Sequence, residues 1–96
     1  MVDVEETIKR LASQKGVTGV IVMDSAGRAI RSTLTDDATA QHCAQFQQLT
    51  EKSRSVVQEL DNSNEMQFLR LRTNKNTYMI SADKDYALMV IQSLQK

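Results

Sequence analysis

Chemistry near neutral pH needs side chains that exchange protons, attack carbon or hold a metal, and this chain has few of them. His42 and Cys43 are its one histidine and one cysteine, adjacent in sequence. Neighbours on a helix point roughly 100° apart, so the two cannot share a nucleophile–base geometry, and they fall short of any zinc-ligand spacing. Packing in a core or an interface accounts for both. Asp24, Asp36, Asp37, Asp83 and Asp85 each stand where a turn or a helix cap calls for a carboxylate. The run from Asp61 to Arg72 opens like a calcium loop, but Met66 replaces the glycine of its sixth position and Arg72 the glutamate of its twelfth. Gly16 and Gly19 flank a helix-to-strand junction, the reverse of the strand-to-helix order of a dinucleotide fingerprint. Phe68, Arg70 and Arg72 alternate along one strand face, an aromatic with two guanidinium groups, as in some RNA-binding sheets. Against that reading stand an aromatic content of 4% and a net charge of zero, which leave the arginines for a two-fold seam or a partner's carboxylates. No catalytic, metal or cofactor site emerges, and the chain reads as a non-enzyme.

Composition narrows the class further. Ninety-six residues fill one domain, 1–96, with a single core. Twelve basic residues balance twelve acidic ones, so neither nucleic acid nor a membrane surface is advertised as a partner. One cysteine closes no intrachain disulfide and suits a reducing compartment. No apolar run approaches the roughly 18 residues of a membrane span, and the start at Met1-Val2-Asp3-Val4-Glu5-Glu6 is acidic where a signal peptide is basic. The expectation is a cytosolic protein. Absent proline and only 3 glycines argue against Pro-rich linkers and most phosphate-binding loops.

Periodicity supplies the elements. Val4, Ile8, Leu11 and Ala12 recur at helical spacing behind an Asp3/Glu6 capping box, which predicts a helix from Asp3 to Lys15 stopped by Gly16. Val17 to Met23 is apolar on both alternating faces and reads as a strand covered on both sides. After the turn Asp24–Gly27, the polar segment Arg28 to Leu34 reads as an edge strand. Asp36 or Asp37 is placed to cap a second helix, in which His42, Phe46, Leu49, Ser53, Val56 and Leu60 follow heptad spacing and Cys43, Thr50 and Val57 widen the stripe. From Ala38 to Leu60 such a helix extends about 34 Å, against about 20 Å for a six-residue strand. Three strands complete the chain at Glu65–Thr73, Thr77–Ala82 and Tyr86–Gln92.

The element order α-β-β-α-β-β-β predicts an α+β fold. Its first and fifth strands, apolar on both faces, belong side by side in the middle of a five-stranded antiparallel sheet of order 2-1-5-4-3, with one helix on each face. The third strand is then an edge with apolar side chains on both faces, and the long helix overhangs its own sheet. Association about a two-fold axis answers both liabilities, pairing third strand with third strand and helix with helix. A homodimer with a ten-stranded sheet is the expectation.

Over nearly its whole length the chain resembles the roadblock family of dynein light chains. The resemblance rests on Val4-Glu5-Glu6-Thr7-Ile8-Lys9-Arg10, Ser13-Gln14-Lys15-Gly16-Val17, Phe68-Leu69-Arg70-Leu71-Arg72, and Asp83-Lys84-Asp85-Tyr86 leading into Val90-Ile91-Gln92, in order and without insertions. Ala29 departs from the pattern, since a proline commonly follows that hairpin turn. What the resemblance implies is a non-catalytic accessory subunit that dimerises, binds the dynein intermediate chain and supports motor assembly and cargo attachment, in the cytoplasm on microtubules or in a cilium or flagellum. It places the dimer seam on Phe46, Leu49, Ser53, Val56 and Leu60 of the long helix and on Phe68, Leu69, Arg70, Leu71 and Arg72 of the third strand. A partner segment is expected to fold as a helix into a groove completed by the dimer, with the side bearing the first helix preferred. Pairing with a paralogous light chain is a variant of this reading. A scaffold or regulator of small GTPases is the alternative role for the same architecture. A small-ligand sensor would need a pocket with convergent polar groups, and the sequence shows no such cluster.

Overall fold

A computed structural model describes residues 4–94, so the Asp3 cap lies outside the described residues. Helix α1 spans Val4–Ala12 and stops short of the Lys15 expected from its pattern. The Ser13 hydroxyl donates to the Arg10 carbonyl at 2.8 Å, and the chain tightens through Gln14 N–H to Leu11 C=O at 3.2 Å before Gly16 turns it at φ +85°. Strand β1 follows at Val17–Asp24, then β2 at Ala29–Ser32. Strand β2 is shorter than the expected Arg28–Leu34 because its polar side chains leave the ladder: Ser32 Oγ accepts from the Leu34 N–H at 3.0 Å and shares a 2.6 Å hydrogen bond with Thr39 Oγ1. Helix α2 runs Asp36–Leu60 and is capped by Thr35, whose hydroxyl accepts from the Ala38 N–H at 3.3 Å. Asp36 and Asp37, the expected caps, sit instead in the first turn, where the helix dipole favours negative charge.

Strand β3 covers Phe68–Arg72 rather than Glu65–Thr73. Asp61 and Asn64 side chains accept backbone N–H groups at Ser63 and Glu65, which holds the approach to β3 as a turn. Strands β4, Asn76–Ala82, and β5, Tyr86–Ser93, begin or end one residue beyond their expected bounds. All five strands form one antiparallel sheet of order β2-β1-β5-β4-β3.

Register assigns each side chain to a face. Ser32 stands opposite Ile21 and bonds to Thr39 of α2, whereas its neighbour Arg31 stands opposite Val22 and forms an ion pair with Glu5 of α1. The helices therefore lie on opposite faces, as the pattern required. On the α2 side Ile21, Met23, Cys43, Ile80, Ala87, Met89 and Ile91 form the buried core, with Leu34, Phe46, Leu49, Leu69 and Tyr78 packed around it. The α1 side is thinner. Val20 is fully buried, but Val22, Met79, Leu88 and Val90 remain half-buried, so β1 and β5 are completely covered on one face only. Length is the reason: nine residues of helix reach about 14 Å, too little to roof five strands spaced about 4.8 Å apart.

Candidate protein-interaction surfaces

The free edge of β3 is the first candidate. Among the described residues this strand pairs with β4 alone, which leaves its outer row of backbone donors and acceptors open to them. Phe68 is 57% exposed and Leu71 41%, on opposite faces of the strand. Leu69 packs against the core, while Arg70 and Arg72 are exposed.

On α2 the heptad stripe turns toward this half of the sheet. Phe46 lies 4.9 Å from Tyr78, ring centre to ring centre, and Tyr78 stands opposite Leu71. Gln47, one residue on, packs against Gly27 of the β1–β2 turn. The stripe's residues differ in burial. Phe46 and Leu49 pack on their own core and Ser53 is half-buried, but Val56 is 46% and Leu60 84% exposed where the helix outruns the sheet. Structure thus brings Val56, Leu60, Phe68 and Leu71 to the surface and gives Phe46, Leu49 and Leu69 a role inside the protomer as well.

The second candidate is the open half of the α1-side sheet face. Cross-strand rows lay it out as Val22–Leu88–Ser81–Phe68, then Val20–Val90–Met79–Arg70, then Gln92–Thr77–Arg72. Its middle, Met79 and Leu88, was not singled out from sequence. The signal lay in the shortness of the first helical pattern, which cannot cover every apolar position on that side.

The two residue types best suited to proton transfer or nucleophilic attack, His42 and Cys43, are engaged in packing. His42 Nδ1 donates to the Ala38 carbonyl at 2.7 Å and its ring stacks 6.2 Å from Phe46, a packing role. Burial, with Asp24's negative charge as a lesser cause, pushes the Cys43 thiol above its ordinary pKa and keeps it protonated. Among the described residues no group of three His, Cys, Asp or Glu side chains converges on a metal position, and no helix is long and apolar enough to cross a membrane. A cleft of about 870 Å³ does open between α2, the loop before β3 and the β4–β5 turn, lined by Arg54, Gln58, Met66, Phe68, Asp83 and Lys84. Sequence reading missed it, because its walls come from three separate segments. Arg54 is not free to receive a ligand there: it donates to the Asp83 carbonyl at 2.8 Å and lies 3.8 Å from Glu51.

Comparison with known proteins adds two findings. Residues 3–93 match the family model described as the Roadblock/LC7 domain. Among solved structures, the Roadblock/LC7 domain from Streptomyces avermitilis superposes with a TM-score of 0.85 at 14% identity, over 96% of this chain and 79% of that one. MglB from Myxococcus xanthus superposes at 0.77 with 16% identity, over 96% and 80%. An MglB structure described as a tetrameric arrangement superposes at 0.79 with 8% identity, over 93% and 69%. At these identities the structural likeness is one of fold.

Proposed function

The chain belongs to the Roadblock/LC7 domain family, and from that premise we propose that it is a non-catalytic adaptor that works as a homodimer and acts by holding other proteins. The observation that carries this reading is the meeting of two unpartnered apolar features. The open β3 edge exposes Phe68 and Leu71, and the overhanging end of α2 exposes Val56 and Leu60. Pairing β3 with β3 makes a ten-stranded sheet, removes an aggregation-prone edge and lets the two α2 stripes cover one another.

Two partner classes fit such a dimer. The bacterial roadblock proteins of like fold, MglB among them, support a scaffold or regulator of a small GTPase. The ordered blocks Val4–Arg10 and Phe68–Arg72 support capture of the dynein intermediate chain in the cytoplasm or a cilium. A dimer gives either role a physical basis, because two bound chains each raise the other's effective concentration. Light scattering on the purified chain tests the dimer, with a folded monomer at micromolar concentration overturning it. A pull-down in which an intermediate-chain peptide competes with nucleotide-loaded small GTPases separates the partners. Nucleotide-dependent retention of a GTPase supports the regulator, and retention of the peptide alone supports the light chain.

A further inference from the structure

The two edges of the sheet are built differently, and we propose that β2 is a locked edge, where a clasp of Glu5, Arg31 and the Ile30 carbonyl prevents strand addition and confines sheet growth to β3. Register shows the difference. Strand β3 pairs with β4 along its whole length, Phe68–Arg72, without a shift. Strand β2 pairs with β1 through Ser32, Arg31 and Ala29, and the register shifts between Val22 and Met23, so Ile30 is left as the extra residue of a bulge. A bulge twists an edge out of line and interrupts the row of backbone groups that an added strand needs. Arg31 closes what remains. Its Nη1 donates to the Ile30 carbonyl at 2.9 Å, and its Nε holds the Glu5 carboxylate of α1.

The clasp needs both contacts. A free arginine side chain samples many rotamers, and the Glu5 carboxylate, reaching over from α1, fixes the guanidinium beside the edge, where one nitrogen occupies a carbonyl that an incoming N–H would otherwise claim. Stability gives a poor account of the pair, because both side chains are more than half exposed and ion pairs this open contribute little to folding. Without the clasp the edge would attract a strand, since Ala29 and Ile30 are uncharged and both exposed. A sheet with two receptive edges adds copies without limit, whereas a sheet with one stops at a pair. The clasp therefore decides where assembly ends, whether or not the β3 seam forms.

The test is light scattering on the full chain and two single variants. Arg31→Thr puts a β-branched side chain, too short to reach either partner, on the strand, and Glu5→Ala leaves the guanidinium in place but unheld. At roughly 100 μM both variants are expected to show at least about twice the wild-type mass while keeping a urea midpoint close to that of wild type. Adding Ile30→Lys to either variant sets a new charge on the same edge and is expected to return the mass to the wild-type value. Wild-type mass in both variants overturns the proposal, and growth in only one of them shows that the three groups do not act as a unit. Growth that Ile30→Lys leaves unchanged arises elsewhere on the molecule and overturns it as well. A lowered urea midpoint without growth makes the pair a stabilising contact and nothing more. Because each variant is read against wild type, a monomeric wild type defeats the dimer proposed above and leaves this test intact.

Discussion

At the scale of single residues, Asp24 shows how a carboxylate can be fully employed without catalysis. Its Oδ1 accepts the N–H groups of Arg28 at 2.9 Å and Ala26 at 3.0 Å, and its Oδ2 takes the Arg28 Nε at 3.0 Å. The backbone hydrogen bond from Arg28 is the main reason its pKa falls below the ordinary 3.8. A depressed folded-state pKa contributes stability that is present above the unfolded value and lost as pH falls through the folded one. Asp24→Asn, which removes the charge and keeps the shape, is therefore expected to lower the urea midpoint at pH 7, with the gap to wild type closing as pH falls below about 4. Cys43 gives a second check. Because its thiol is buried and its pKa raised, a disulfide reagent such as DTNB is expected to titrate it slowly in the native protein and at once in denaturant. Ile80 lies at the centre of the core with no exposed surface, so Ile80→Ala is expected to cost about 2–5 kcal/mol in equilibrium unfolding.

At the scale of elements, the β1–β2 hairpin depends on Gly27. Its φ of +85° lies in the left-handed region, and an added Cβ would lie 2.8 Å from Cγ of Gln47. Gly27→Ala is expected to destabilise by about 1–2 kcal/mol from backbone strain alone, plus whatever the clash adds. Adding Gln47→Gly, with Gln47→Gly alone as the reference, separates the two causes, because it removes both Cγ and the Cβ that would lie 3.1 Å away and leaves the backbone strain at position 27 in place. Full recovery of the urea midpoint in the double variant would show that strain at φ +85° counts for little. Local hydrogen bonds also trim the elements around this hairpin. Ser32, Thr35 and Ser13 end or cap their elements through side-chain oxygens that compete with the backbone ladders.

At the scale of the whole molecule, what matters is apolar surface that one copy leaves uncovered. Leu71 is exposed on the β3 edge, so Leu71→Asp is expected to leave the protomer folded, to halve the mass seen by light scattering and to abolish partner capture with it. Capture retained by a folded monomer would show that binding does not need the dimer. Leu49→Asp makes a poorer probe, because Leu49 also packs on its own core and the charge would threaten the fold itself. Leu60→Asp tests the overhang without that ambiguity, since the side chain is almost wholly in solvent within one copy.

Alternating apolar residues in Val17–Met23 and Tyr86–Gln92, the heptad stripe of α2 and the turn residues between strands were enough to derive seven elements, the strand order and the placement of a helix on each face. These features are local, or follow from local ones by burial, which is why they can be read along the chain. The exact ends of the elements could not be read so, because they turn on which side-chain oxygen wins a backbone partner, as Thr35 did over Asp36 and Asp37. Of the candidate site, residue types and strand parity were legible: Phe68, Arg70 and Arg72 on one face, Leu69 and Leu71 on the other. Only the tertiary structure decided that α1 roofs part of its sheet face, that Arg70 stands opposite Met79 on that face, and that Phe46, Leu49 and Leu69 serve the protomer's own core. Coverage and pairing are relations between segments far apart in sequence, so periodicity, which compares a residue only with its near neighbours, does not contain them.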